Sequence, residues 1–485
     1  MRNYFNLLII SVYLLGNLSS CKKDEILEDS SVRLRFSADT LLYDTVFVTL
    51  GSVTKNLRVY NDNDRPIRIS SIRLASGQNF RMNVNGSPGK SFTDIEIRAK
   101  DSLWIFAEVT VDPNASLTPY IITDSIVFET NGNIQDVDLA AWGQNARFFV
   151  AKKRSPNLPP YVIIDTTLNG VKTWDNTLPY VIYGGYAVVD SSTTLNIAEG
   201  TQIHFGNNAG LWVYKGGTLN VNGTAQNPVV FQGIRREQDY TEEPGQWDRI
   251  WVNDGGVNKI NYAVIKNGFI GLQTETLFAP AMTPSLQVTN TIIKNMSGLG
   301  ILARNFNIRS WNTVVANCGL YNAALTIGGD YEFRHCTFAN YWNFGQRSTP
   351  AVYLNNYTEG TGGSIITNDL VKADFLNSII YGASDNELVL DMKTGAAANY
   401  QFKNCVLKVD NNTPVTNPTY FTAISLSPAP TFKDIENNNY ELTAPYAQGN
   451  PSFIITTNPP MDVDFKGNPR PNPLGSNPDL GAFEY

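Results

Sequence analysis

The sequence predicts an all-β protein of two units, an N-terminal β-sandwich followed by a larger parallel β-solenoid. Three observations carry this. The 485 residues exceed one ordinary domain, and Gly (37), Tyr (23) and Phe (24) are abundant while only 17% are charged, a palette of strands and turns rather than long helices. The first third of the chain shows short runs with apolar residues at every second position. The remainder carries a repeat whose rows place apolar residues in fixed columns.

The chain begins Met1-Arg2-Asn3, a short positive start, followed by an apolar stretch from Leu7 to Leu15. That stretch is far below the ~20 residues that span a bilayer as a helix, and it fits the core of a secretory signal peptide over residues 1–20. Leu18-Ser19-Ser20-Cys21 resembles the lipobox of bacterial lipoproteins. The resemblance implies that Cys21 is acylated and anchors the chain in a membrane, with residues 21–30 as a tether. Several acyl chains make a stable anchor, since each buried CH₂ contributes about 0.8 kcal/mol. Lys22-Lys23-Asp24-Glu25 resembles the surface-export signal of Bacteroidota-type lipoproteins, and equally reads as a solvated charged tether. The expected location is the outer membrane, lipid-anchored and exposed at the cell surface.

With Cys21 assigned to lipid, Cys318, Cys336 and Cys405 remain, and no CxxC spacing occurs. An odd number excludes a complete disulfide framework, so free buried thiols are expected. A net charge of −7 argues against a nucleic-acid partner.

Residues 31–147 contain alternating runs such as Asn56-Leu57-Arg58-Val59-Tyr60, Ile67-Arg68-Ile69-Ser70 and Ile126-Val127-Phe128-Glu129. Each buries one face of a strand, and Asn/Asp/Gly clusters turn the chain between them. The order of runs resembles immunoglobulin-like spacer domains of bacterial surface proteins, which implies a spacer or docking role. Residues 148–178 are punctuated by Lys152-Lys153-Arg154-Ser155-Pro156 and Pro159-Pro160 and read as a linker or as the entry into the next unit.

The solenoid is expected over residues 179–430. Six rows align: Tyr262-Ala263-Val264-Ile265, Asn290-Thr291-Ile292-Ile293, Asn312-Thr313-Val314-Val315, His335-Cys336-Thr337-Phe338, Asn377-Ser378-Ile379-Ile380 and Asn404-Cys405-Val406-Leu407, at steps of 28, 22, 23, 42 and 27. Asn leads four of the six rows, the second column is small and the last is apolar. Stacked coils about 4.8 Å apart would turn the apolar columns into ladders and let Asn amides bond along the axis at a bend. The long step requires an insertion, placed at Asn355 to Thr367. Upstream, Thr194-Leu195-Asn196-Ile197, Gly217-Thr218-Leu219-Asn220-Val221 and Asn227-Pro228-Val229-Val230-Phe231 continue the rhythm.

On these residues the segment resembles the right-handed parallel β-helix, pectin-lyase-like superfamily, and its bacterial surface members above all. Asp464-Phe465-Lys466-Gly467-Asn468-Pro469-Arg470 and Pro478-Asp479-Leu480-Gly481-Ala482-Phe483-Glu484-Tyr485 resemble the closing segment of such proteins, so residues 431–485 are expected to close the β-helix. The resemblance settles no activity, because this fold hosts lyases, hydrolases and inert scaffolds.

The Asn-Thr-Asp, Asp-Asp, Gly-His-Gly and Arg-Ile-Lys motifs of polygalacturonase-like members are absent. The richest acidic stretch, Asp369, Asp374, Asp385, Glu387 and Asp391 with Lys372 and Lys393, reads as solvated turns or as a converging lyase-like edge. His335 occupies the Asn column, while His204 lies in an alternating strand where a general base is conceivable. No metal or cofactor site is expected. Glycan sites combine ring faces with amide and acidic neighbours. The densest such cluster is Tyr341, Trp342, Phe344, Arg347, Tyr353 and Tyr357, beside the expected insertion. The same rings read otherwise as core or as the cover of a coil end. Trp247, Asp248, Arg249 and Trp251 form a second cluster, read as structural because a Trp there resembles a packing position of the family. The expectation is therefore a non-catalytic lipoprotein that binds a glycan or serves an outer-membrane assembly. The alternative is a polysaccharide lyase or glycoside hydrolase with a diverged site.

Overall fold

The computed structural model describes residues 25–254, 256–276, 285–455 and 460–485. Cys21 and the N-terminal signal-like segment lie outside them. No helix among the described residues is long and apolar enough to cross a membrane. The chain divides into two compact units, residues 1–145 and 146–485.

In the first unit the strands are β1 (Arg35–Phe36), β2 (Thr40–Phe47), β3 (Lys55–Tyr60), β4 (Ile67–Leu74) and β5 (Phe80–Val84). They continue with β6 (Ser87–Gly89), β7 (Ser91–Ile97), β8 (Ser102–Val109), β9 (Tyr120–Thr130) and β10 (Asn133–Gln144). Two five-stranded sheets result, ordered β1-β3-β8-β5-β6 and β2-β10-β9-β4-β7. The alternation read in the sequence is the alternation of burial. Leu57, Val59, Ile67, Ile69, Ile105, Ile126 and Phe128 are fully buried between the sheets. The Tyr43 hydroxyl crosses that core and donates to the Ala107 carbonyl at 2.6 Å.

The second unit is a parallel β-helix. A nine-stranded sheet covers one side, and a 17-stranded sheet bends around the other two, with every pairing inside both sheets parallel. The β-helix begins earlier than the sequence indicates. Residues 148–178, expected as a linker or entry segment, are the entry: they contribute strands Tyr161–Ile163 and Val171–Trp174 and most of Arg147–Val150, which pair with the next coil. Short strands between prolines leave no periodicity long enough to read.

The repeat column sits at the bend of the larger sheet. Tyr262, Asn290, Asn312, His335, Asn377 and Asn404 all adopt left-handed backbone, with φ between 46° and 50°. That region penalises most L-residues and tolerates Asn best, which explains its predominance there. The amides bond along the axis: Asn290 Nδ2 donates to Asn261 Oδ1, and Asn312 Nδ2 to Asn290 Oδ1, both at 2.9 Å. The expected insertion is an antiparallel hairpin of Tyr357–Glu359 and Ile365–Thr367. Inside, in-register Phe333, Phe375, Phe402 and Phe421 stack with centroids 5.0, 4.8 and 5.4 Å apart. Cys318, Cys336 and Cys405 are buried and unpaired, and burial pushes each thiol up to about 12.

The C-terminal segment lies along the bend. Arg470 donates through Nη1 to Asn312 Oδ1 at 2.7 Å and pairs through Nε with Glu484 at 3.1 Å, with both side chains wholly buried. Asp464 Oδ1 accepts the N–H groups of Lys466 and Asn468, and its Oδ2 accepts that of Glu484. The two motifs of the closing segment therefore meet around one buried ion pair.

Candidate functional site

In a solenoid, residues in register on one face of a sheet form a column about 4.8 Å per step. On the outer face of the nine-stranded sheet one such column runs Val188, Trp212, Trp251, Gln273, Leu302, Ala324, Tyr353 and Val389. Each tryptophan lies between inward-facing apolar neighbours: Leu211 and Val213 flank Trp212, and Ile250 and Val252 flank Trp251, all four fully buried. Register then dictates the stack. The two indoles lie 4.9 Å apart at 14°, with Tyr186 edge-on to both at 6.3 Å.

The indole N–H groups are satisfied by a polar network on the same face. Trp251 Nε1 donates to Glu275 Oε1 at 2.7 Å, Asn253 Nδ2 donates to the same oxygen at 2.8 Å, and Trp212 Nε1 donates to Asn253 Oδ1. Glu275 is 6% exposed, and the Arg304 guanidinium stands 3.6 Å from its other oxygen. This network holds the rings rigidly.

Beside the stack opens a concavity of about 580 Å³, lined in part by Tyr186, Asn207, Asn208, Asp248, Arg249 and Trp251. Asp248 accepts the Tyr186 hydroxyl through Oδ2, and Arg249 Nε and Nη2 through Oδ1 at 2.9 and 2.8 Å. Arg249 Nη1 reaches Gln273. Gly210 is required here, since a Cβ would stand 2.6 Å from the Tyr186 ring and 2.5 Å from the Arg249 carbonyl. Burial and then the Asp248 charge push the Tyr186 phenol above its ordinary value, so it remains a donor. Trp212 and Tyr186 are 5% and 4% exposed and back the half-buried Trp251, whose ring is the one offered to C–H groups, beside a carboxylate, a guanidinium and two amides for hydroxyls. Asp248 is held by both a guanidinium and a phenol.

The six residues singled out in the sequence separate into four places. Tyr341 lies half-buried under the C-terminal segment, 6.4 Å from the Tyr440 ring, and burial pushes its phenol up to about 12. Trp342 and Phe344 pair at 5.2 Å in a loop, where Phe344 is exposed. Arg347 forms a bidentate pair with Glu387 at 2.7 and 2.9 Å, with side chains 4% and 0% exposed, and donates to the carbonyls of Asn340 and Thr349. Its guanidinium is occupied by the fold. Tyr353 and Tyr357 do reach the outer face of the nine-stranded sheet, where both donate to Asp391 Oδ2, at 3.0 and 2.6 Å, with Lys393 3.4 Å from Oδ1.

The acidic stretch does not converge. Glu387 belongs to the Arg347 pair, Asp391 to the tyrosines, and Asp369 accepts the Ala397 N–H, while Asp374 lies on the larger sheet, where burial raises its carboxyl. Among the described residues no group of three or more His, Cys, Asp or Glu could hold a metal. His204 is buried with Nδ1 3.2 Å from the Gly233 carbonyl, and burial and the nearby Arg236 charge lower it to about 3. A base that weak is unsuited to abstracting a proton at neutral pH.

Trp247 is core, stacked on Phe205 at 4.4 Å, whereas Trp251, four residues on and past a register shift between Arg249 and Ile250, faces outward. The structural reading therefore fits Trp247 and not its neighbour. Tyr186, Trp212 and Glu275 were missed. The available signal was the apolar–Trp–apolar triplet, present twice in the β-helix, which turns a Trp outward from a strand whose neighbours point in.

Residues 166–266 match the family described as pectate-lyase-like β-helix domain. No curated protein sequence matches. Among solved structures, the chain is similar to the catalytic unit of the thermostable GH87 α-1,3-glucanase from Streptomyces thermodiastaticus strain HF3-3, at 11% identity over 76% of this chain and 88% of that one, with a TM-score of 0.21. It is similar to a family 123 glycoside hydrolase from Clostridium perfringens at 12% identity over 24% of this chain, with a TM-score of 0.16, and spans 26% of that enzyme's chain. A protein of unknown function from Porphyromonas gingivalis W83 matches at 13% identity over 27% of this chain and 57% of that one, with a TM-score of 0.18. Likenesses this distant carry no inference about activity.

Proposed function

We propose that this chain is a lipid-anchored cell-surface protein that recognises a carbohydrate, without cleaving it, on the outer face of the nine-stranded sheet. The observation that supports this reading is the rigid aromatic stack of Trp212 and Trp251 beside a concavity furnished with Asp248, Arg249, Asn207 and Asn208. Sugar C–H faces stack on such rings, and the flanking polar groups suit hydroxyls. The lipobox-like Leu18-Ser19-Ser20-Cys21 supports the anchor.

The test is a panel of polysaccharides titrated calorimetrically against the purified protein and against Trp251→Ala, with reducing ends and unsaturated products assayed in parallel. Binding to one polysaccharide, weakened at least about tenfold by Trp251→Ala and without product, is the expected result. Product formation would make the protein an enzyme instead. Unchanged binding in Trp251→Ala would place recognition elsewhere.

A further inference from the structure

The outer faces of a β-sandwich are ordinarily polar, because strand alternation sends apolar residues inward. Here both depart from that rule, and in opposite ways. On the sheet containing β3 and β8, Trp104 and Phe106 are 42% and 40% exposed and lie parallel, 6.3 Å apart at 15°. Guanidinium groups interleave with the rings: Arg58 sits 4.9 Å from Trp104 and 5.3 Å from Tyr60, and Arg35 sits 3.9 Å from Tyr60. A concavity of about 780 Å³ adjoins Phe106, rimmed by Arg81 and Lys90, with Glu108 the acidic residue of its lining. Surface Trp, Tyr and Arg, preorganised by cation–π contacts, are the residues that dominate interface energetics.

The other sheet presents the complement. Across β2, β9 and β10, Leu42 is 50%, Ile121 65% and Ile134 74% exposed. Around them Asp44, Asp136, Asp138 and Glu129 are exposed on the same outer face. One face of the unit is thus aromatic and, apart from Glu108 and the Asp62 paired with Arg35, basic; the opposite face is aliphatic and, apart from Arg68 and Arg73 on β4, acidic along β2, β9 and β10.

We infer that the basic-aromatic face docks the acidic-aliphatic face of a second copy of this chain, giving head-to-tail association through the N-terminal sandwich. Because the two faces differ and lie on opposite sides, the contact is heterologous and does not close at two copies. Each face measures about five strands by six residues, so a contact buries ~1,000 Å² in total, the low end for a specific interface. Association is accordingly weak in dilute solution and gains from confinement of many copies on one surface. The inference stands independently of carbohydrate recognition by the β-helix.

Sedimentation velocity of the full chain, carrying Cys21→Ser to exclude acylation, tests this across a wide concentration range at low and high salt. The expected weight-average mass rises past that of a dimer without a plateau at low salt and falls back at high salt. Two double variants on the outer faces decide the geometry: Arg58→Glu with Trp104→Ala, and Leu42→Asp with Asp138→Arg. Each alone stays monomeric, because each keeps only one competent face, while their equimolar mixture forms a dimer and nothing larger. Circular dichroism confirms that both variants are folded. A wild-type chain monomeric throughout, an association that stops at the dimer, or a double variant that self-associates like wild type would each overturn the proposal.

Discussion

Lowering the pH from 8 to 5 should destabilise the β-helix by about 4 kcal/mol through its two histidines alone. His204 and His335 are the only histidines in the chain, and both are buried in the folded state. His335 occupies an asparagine position of the bend and reproduces the asparagine pattern of one donor and one acceptor. Nδ1 lies 3.1 Å from the Asp479 carbonyl, which only accepts, so Nδ1 carries the proton. Nε2 accepts from Asn377 Nδ2 at 2.8 Å. A second proton would set a ring N–H against an amide NH₂. Burial, with the nearby Arg470 and Arg334 charges, holds this imidazole well below its usual value, and His204 is lowered to about 3.

The unfolded chain meets no such obstacle and takes protons near pH 6.5. Below that value it binds more protons than the folded state, so stability is lost as pH falls. At pH 5 the loss is RT ln(1 + 10^1.5), or about 2 kcal/mol per histidine. The informative variant is His335→Asn, since Asn already fills this column in four of the six rows. Urea midpoints and slopes followed by tryptophan fluorescence should show wild type losing about 2 kcal/mol more than His335→Asn between pH 8 and pH 5. Carboxylates titrate in both proteins and cancel in the difference. Parallel pH profiles for the two would refute the reasoning.

Arg470→Met should cost about 3–5 kcal/mol in urea unfolding, because Glu484 is left buried beside Asp464 and Asp479, and adding Glu484→Gln should restore part of it. Phe375→Ala, in the middle of the internal stack, should cost about 3–5 kcal/mol, against about 1 kcal/mol for Phe375→Leu. Cys21→Ser should abolish incorporation of labelled palmitate and release the protein from membranes. Persistence of label would remove the lipobox reading.

The repeat was legible in the sequence because its chemistry is local. A bend with φ near 50° selects Asn wherever it recurs, and the two positions without Asn, Tyr262 and His335, keep the same backbone and the same place in their rows. The alternation of Leu57 and Val59 likewise needs no partner to be read. The insertion at Asn355 to Thr367 followed from counting, since a coil that is too long must leave the stack. The prolines around Tyr161–Ile163 hid the first coil, because a three-residue strand has no period.

The outer face was not legible, for a different reason. Trp212 and Trp251 are 39 positions apart in the sequence yet 4.9 Å apart in space, and only the lengths of the intervening turns set that register. Tyr341 and Tyr353, close in sequence, fall instead on different sides of the coil. Arg470 meets Asn312 across 158 positions. The sequence by itself determined which residues face inward and where each coil bends, because burial and backbone strain act within a few residues. Which outward side chains stand side by side was decided by the stacking of coils, because a column takes one residue from each turn of the solenoid.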